Sequence, residues 1–407
     1  MVYRMYSAVL ALLLLLALSS AVNAQRQNSV GTSVSLLGSV DDNPQVSGIR
    51  SVTELERDFR LVYGVYPSIW LNSLGRGSRL ELKYDFGFNQ VDSELDLNSQ
   101  SHGATAFFET RLGRRANMSI ANSFRKSPDF TTFNFFRGIV FTPDGAFFDF
   151  ETVALRRDSY ENTATVNVDY QTGPKSYLEF GFGHSLGRFD EDPFFQQRLT
   201  DQDRYLGSFH YRREMSRQTS WNVGYRAAQY DFRREFSDGR THDMSVGLRH
   251  LLSPTVRLNA SAGPSYTESL GGDGFNNFLG YHADFSVSKS FEDDVVTLSY
   301  RRENGTSVGI GSLSKAQRLG FGVTHSLGRD STLKFGLSLY ETERIFDNPF
   351  ETRGLDASLI WSYLLTQNVA ISAGGNYRAQ EGNDFLDFDR RRVFTSLRFQ
   401  LPDFWRF

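Results

Sequence analysis

Leu80-Glu81-Leu82-Lys83-Tyr84-Asp85-Phe86-Gly87-Phe88-Asn89 is the stretch on which the fold turns. Neighbouring side chains of a β-strand point to opposite faces. Leu80, Leu82, Tyr84, Phe86 and Phe88 therefore share one face, while Glu81, Lys83, Asp85, Gly87 and Asn89 share the other. One side is oily and the other is wet. The same period of two recurs along the chain, in Tyr177 to Gly183, Trp221 to Arg226, Val256 to Gly263 and Leu333 to Leu339. No comparable stretch keeps a period of 3.6, so strands dominate and helix is scarce.

The joints between these strands alternate in character. Eight are short: Leu74 to Gly77, Leu112 to Arg115, Thr172 to Lys175, Met215 to Gln218, Leu252 to Pro254, Phe291 to Asp294, Leu327 to Asp330 and Leu365 to Asn368. Between them lie longer runs rich in Asp, Asn, Gly and Pro, such as Asp41 to Arg50, Ser127 to Arg157, Phe189 to Asp203 and Asn304 to Ser314. Short turns at one end and long loops at the other are the layout of an outer-membrane barrel. Eight turns join sixteen strands. A first strand near Gly31 to Val40 and a last from Arg392 to Leu401 bring the count to eighteen, an even number that leaves both termini on the periplasmic side. Because the first strand is weakly patterned, and because Gly145 to Leu155 could add or replace one, the expectation is 16 to 18 strands.

Composition agrees. The chain of 407 residues has 22% charged residues, 14% aromatics, no cysteine and a formal net charge of -3. The lack of cysteine excludes disulfides, thiolate metal sites, a cysteine nucleophile and a lipoprotein anchor. The charge balance offers no basic field for nucleic acid, so no nucleic-acid partner is expected. Residues 1–24 combine Arg4, an apolar run from Ala8 to Leu18, and small residues at Val22 and Ala24. That is the pattern of a cleaved signal peptide, which leaves residues 25–407 as one barrel domain. The wet faces are rich in Gly, Ser, Asn and charge, which suits a wide lumen better than the shorter strands of a two-sheet soluble sandwich. A closed wall also removes the unpaired edges that a bilayer excludes. Trp70, Trp221, Trp361, Tyr363 and Trp405 lie beside the turns or the C-terminus, where interfacial girdles belong. The expected fold class is all-β: a transmembrane, antiparallel, up-and-down β-barrel with short periplasmic turns and long extracellular loops.

Four short motifs add a resemblance. Asp41-Asp42-Asn43-Pro44 follows the first strand, Asn122-Ser123-Phe124-Arg125-Lys126-Ser127-Pro128-Asp129 closes another, Leu252-Ser253-Pro254 forms a turn, and Phe407 ends the chain. Across the mature chain these resemble the outer-membrane β-barrel porins associated with exopolysaccharide and exosortase gene systems. The resemblance implies a conduit for polar solute or exported polysaccharide, with outer-membrane lipid, the barrel-assembly machinery and exopolysaccharide secretion components as partners. It also implies that Phe407 is a C-terminal assembly signal. Pro402 departs from the usual ending and leaves open whether the tail from Asp403 to Phe407 pairs in the barrel. A structural or assembly barrel with a plugged lumen is the alternative, and an outer-membrane hydrolase is a second.

Gly183-His184-Ser185-Leu186-Gly187 matches the G-x-S-x-G elbow of serine hydrolases. That motif requires a sharp strand-to-helix turn. Here it ends a period-two strand, and Thr324-His325-Ser326-Leu327-Gly328 nearly copies it, so no catalytic residue is assigned. The seven histidines lack metal-ligand spacing, and most of them are expected to be solvated or to face the lumen. Asp41-Asp42, Glu191-Asp192, Asp293-Asp294 and Asp347-Asn348 match turn chemistry better than cation sites, so neither a metal nor a cofactor is expected. The wet face nominates the pore-lining residues: Lys83, Arg226, Arg249, Arg257, Arg301, Arg318, Lys334 and Arg398 among bases, and Glu81, Asp85, Asp169, Glu179, Asp284 and Asp356 among acids. Facing a lumen, they would set a transverse field; as cross-strand pairs, they would hold the wall together. The phenylalanine-rich Ser127 to Arg157 segment is the expected constriction or cap.

Overall fold

A computed structural model describes residues 27–42, 59–92, 98–127, 140–142, 145–147, 159–189, 200–233, 238–270, 276–306, 313–346, 351–382 and 388–406. The signal segment and Phe407 lie outside them. The first half of the wall is built from β1 (Gln27–Asp41), β2 (Arg60–Leu74), β3 (Ser78–Val91), β4 (Ser99–Arg111), β5 (Ala116–Ser127), β8 (Ser159–Gly173), β9 (Ser176–Phe189), β10 (Gln202–Glu214) and β11 (Thr219–Phe232). The second half is β12 (Gly239–Ser253), β13 (Val256–Ser269), β14 (Asn277–Ser290), β15 (Asp294–Thr306), β16 (Leu313–Ser326), β17 (Ser331–Arg344), β18 (Glu351–Thr366), β19 (Val369–Gly382) and β20 (Phe388–Arg406). Two three-residue strands, β6 (Val140–Thr142) and β7 (Gly145–Phe147), pair only with each other. No helix occurs among the described residues.

Each wall strand pairs antiparallel with its neighbours in sequence, β5 passing directly to β8, and β1 pairs with both β2 and β20. The result is a closed ring of 18 strands. The Gly145 to Leu155 region adds no wall strand, because Gly145–Phe147 is taken up in the β6–β7 hairpin. Closure matters energetically: every wall strand is paired on both sides, so the ring has no free edge strand. Both chain ends and the eight short turns share one end of the barrel, here the turn end, while the nine longer connections share the other, the loop end.

Turn chemistry explains that asymmetry. Gly113 has φ 97° and Gly328 has φ 88°. Each follows a leucine and precedes an arginine, in Leu112-Gly113-Arg114-Arg115 and Leu327-Gly328-Arg329-Asp330. In both, the leucine N–H donates to the first residue of the next strand at 2.8 Å. A side chain at either glycine would meet open space, so it is the left-handed backbone, not crowding, that selects glycine.

At the seam, β20 runs past the predicted Leu401. Thr32 pairs with Leu401, the register then shifts, and Val30 and Ser29 pair with Trp405 and Arg406. The tail therefore pairs in the barrel, with Pro402 inside the irregularity, where a residue without an N–H is tolerated.

The register fixes which side chains share a face. Leu36, Val65, Phe180, Phe209, Val246, Leu279, Leu339 and Val393 all project from the same side of the wall and are exposed. Ser39, Asp41, Asp243, Ser265, Thr267 and Arg392 project from the opposite side and are buried. In a closed cylinder the accessible apolar side is the outer one, so the polar side chains line the interior.

A charged lumen and its lining

Cross-strand register places all fourteen nominated residues on the inner, polar face. Several are held by neighbours. Lys83 Nζ lies 2.8 Å from Asp85, Arg212 Nε 2.9 Å from Glu179, Arg226 2.7 Å from Asp243, Arg301 2.8 Å from Asp284, and Arg378 3.4 Å from Asp356. Arg226 faces Asp243, and Asp356 faces Arg378, directly across a pair of strands. Such pairs are the cross-strand unit that stabilises a sheet. Asp169, Arg249, Arg257 and Arg398 are exposed to the interior. Asp169 faces Glu179 across β8 and β9, two like charges side by side. Glu81 accepts from Arg79, and Arg318 and Lys334 stand on the inner faces of β16 and β17.

Other inner residues are missing from the sequence-based set. At the seam, Arg390 Nε donates to Asp41 at 3.0 Å and its Nη2 at 2.5 Å, with Asp41 fully buried. Arg392 Nε donates to Ser39 Oγ at 3.1 Å, and the Arg391 N–H donates to Asp42 at 2.6 Å. The Asp41-Asp42 pair thus anchors β1 to β20, and no cluster of potential metal ligands occurs among the described residues. Asp41 looked like loop sequence, and Arg390 sits in a triple-arginine run that masks its alternation. Asp243 is flanked by His242 and Met244, which disguise it in the same way.

Two aromatic rings also pack inside over glycines. A Cβ at Gly354 would fall 2.0 Å from the Tyr340 ring, and one at Gly31 would fall 2.3 Å from the Trp70 ring. Tyr340 reaches over Gly354 from β17 to β19, where its hydroxyl donates to Gln380 at 3.1 Å. Trp70 therefore belongs to the inner wall, not to an interfacial girdle, because Gly31, its register partner, leaves room for it only there. Trp221, Trp361 and Tyr363 are outside near the turns as expected, with Trp361 and Tyr363 stacked 6.0 Å apart.

The histidines correct a second expectation. Only His210 and His282 face inward; His102, His184, His242, His250 and His325 are on the outer face. Hydroxyl and carboxylate partners explain it: Tyr84 and His102 are 2.8 Å apart, Tyr225 and His242 2.7 Å, Thr219 and His250 2.8 Å, and His325 and Asp294 2.7 Å. His184 and Ser185 lie on opposite faces of one continuous strand, so the G-x-S-x-G stretch makes no nucleophile elbow.

Two features narrow the loop end. Ala228, Tyr230 and Phe232 of β11 form a buried cluster with Leu313 of β16, five strands away in the ring, against Leu206 and Phe346. Cα atoms of β7 come within 8 Å of β14 and β15, across the ring from β5 and β8, between which the hairpin is inserted. Within the Ser127 to Arg157 segment only Ser127, Val140–Thr142 and Gly145–Phe147 are described; the rest lies outside the described residues, as do Glu191-Asp192 and Asp347-Asn348.

No protein-family model and no curated protein matches the chain in sequence. Solved structures similar in outline include OccAB4 of Acinetobacter baumannii, at 10% identity and TM-score 0.47, covering 93% of this chain and 99% of that one. OpdK of Pseudomonas aeruginosa with vanillate stands at 11% and 0.48, covering 91% and 99%. OpdO of Pseudomonas aeruginosa stands at 12% and 0.47, covering 93% and 98%.

Proposed function

We propose that this protein is a porin-like channel of a bacterial outer membrane, passing polar solutes through the barrel. The carrying observation is the sidedness of the closed wall: exposed Leu, Val and Phe outside, ion pairs and hydroxyls inside. An interstrand spacing of about 4.8 Å and a tilt of about 40° give eighteen strands a backbone diameter of roughly 36 Å. Barrels of that size leave an aqueous path after side chains are added. The apolar exterior suits lipid, and the turn end with both termini suits the periplasmic side. The resemblance to porins associated with exopolysaccharide systems supports exported polysaccharide as one cargo and secretion components as partners. Phe407 is the proposed handle for the barrel-assembly machinery.

The test is single-channel recording of the refolded protein in a planar bilayer, with a heat-modifiable band on an unboiled gel as the control for folding. Discrete conductance steps are expected. A heat-modifiable but silent protein would overturn the channel and leave the plugged structural barrel, which the approach of β7 to β14 and β15 and the Tyr230–Leu313 cluster favour as the second reading. For the cargo, a deletion strain should accumulate polysaccharide in the periplasm; unchanged export would remove that part of the proposal.

A further inference from the structure

Inner-face charge is segregated around the ring. From β16 to β20 the inner face carries Arg318, Lys334, Arg378, Arg390, Arg392 and Arg398. Its described inner carboxylates are Asp356, facing Arg378, and Asp41, contributed by β1 to Arg390. The described charges therefore sum to a positive wall. From β3 to β9 the inner face carries Glu81, Asp85, Glu109, Glu161, Asp169 and Glu179. Of the bases on that side, Arg79 sits on Glu81, Lys83 on Asp85 at 2.8 Å and Arg125 on Glu161 at 3.1 Å, while Arg111 stands at the turn end of β4. Six carboxylates against four bases leave the described inner face of this wall with a net charge of -2, and Glu109 and Asp169 are both exposed to the interior. β9 stands nine strands from β18 in a ring of 18, diametrically opposite.

Resting on the channel proposed above, we infer that the lumen selects small hydrophilic solutes bearing an anionic group, a carboxylate or a phosphate, which travels along the β16–β20 wall while the β3–β9 wall repels it. The guanidiniums are fixed in position. Arg378 and Arg392 are only 6% and 3% exposed, with Arg378 lying 5.8 Å from the Tyr340 ring centre and Arg392 bonded to Ser39. Fixed cations lining a path raise the local concentration of anions without a reorganisation step. The opposed walls also turn a dipolar solute, its anionic end toward β16–β20.

Reversal potentials across a KCl gradient, repeated with potassium gluconate, test this on the full refolded chain. Chloride should permeate more readily than potassium, and gluconate should carry current. Arg398→Gln and Lys334→Gln, each removing one charge from a side chain that is not fully buried, should each lower the anion-to-cation ratio by roughly threefold, the effect of a unit charge several ångströms from a hydrated ion. Glu109→Gln and Asp169→Asn should raise it. Opposite signs from opposite walls are the signature. A conducting channel that prefers potassium, or variants on both walls that shift the ratio the same way, would overturn this inference and leave the channel standing. No conductance from heat-modifiable protein would overturn both.

Discussion

A Cβ at Gly263 would lie 1.7 Å from the Met244 carbonyl oxygen. Pro264 beside it offers no N–H to β12, and the pairing of β12 with β13 skips Met244 and Ser245 at this point. The carbonyl bends into space that glycine alone leaves open. Gly263→Ala is therefore expected to destabilise the barrel by about 1–3 kcal/mol, visible as a lower temperature for the gel shift to the unfolded band; an unchanged transition would refute the packing argument. At the seam, Arg390→Ala removes the guanidinium from the fully buried Asp41 carboxylate. Breaking such a pair from one side costs about 3–5 kcal/mol, whereas Asp41→Asn combined with Arg390→Gln should recover a large part of it. Both are read by urea titration of the folded band, and a double variant as unstable as the single one would assign the loss to something other than the buried charge. These residues also mark how far sequence carries. Lys83, Arg226 and Asp284 were legible because each sits between clear apolar neighbours. Trp70 and the outer histidines were not, since a glycine on the next strand, or a hydroxyl or carboxylate across the ladder, accompanies their placement, and none of these partners is adjacent in sequence.

Elements were legible where alternation was clean. β3, β9, β13 and β17 fall where the period of two predicts them, and the eight short joints are turns. β1 was weak in sequence because serines occupy much of its inner face, with Leu37 buried among them. The end of β20 was hidden by Pro402, which interrupts the pattern without ending the pairing. Strand length carries a further lesson. A 14-residue strand rises about 35 Å at a tilt near 40°, roughly 10 Å more than the apolar band of a membrane barrel. The surplus is at the loop end, where outer-face charges pair: Arg188 with Asp203 at 2.5 Å, Arg353 with Glu341 at 3.1 Å, and Lys315 with Glu343. The last two are surface pairs, which contribute little stability each, so neutralising them should leave the folding transition almost unmoved. For β20, removal of residues 402–407 keeps the pairing from Thr32–Leu401 to Asp41–Arg392. The truncated chain should still give a heat-modifiable band after refolding in detergent, while its assembly in cells falls if the tail is an address read by the assembly machinery. Equal loss in both settings would show that the tail is structural instead.

At the scale of the whole molecule, the even strand number and the shared end of both termini followed from counting turns, which needs no side-chain detail. A constriction by the Ser127 to Arg157 segment was expected from its phenylalanines, but the elements that β7 approaches and the β11–β16 cluster were not, because these contacts join segments far apart in sequence. Replacing residues 130–156 by a short Gly-Ser linker should raise single-channel conductance; unchanged steps would place the limiting aperture elsewhere. The closed ring has a kinetic corollary as well. All but one of its ladders link strands consecutive along the chain, with only the β6–β7 hairpin intervening between β5 and β8. The exception joins Asp41 to Arg390 across 349 residues. Hairpins need only neighbouring segments in order to zip, but the last ladder waits for the two ends of the chain to meet, a loop-closure step whose cost grows slowly with length. Until then two strand edges are open to any passing chain, so the interval before the ends meet is when this protein is vulnerable to aggregation and to proteases.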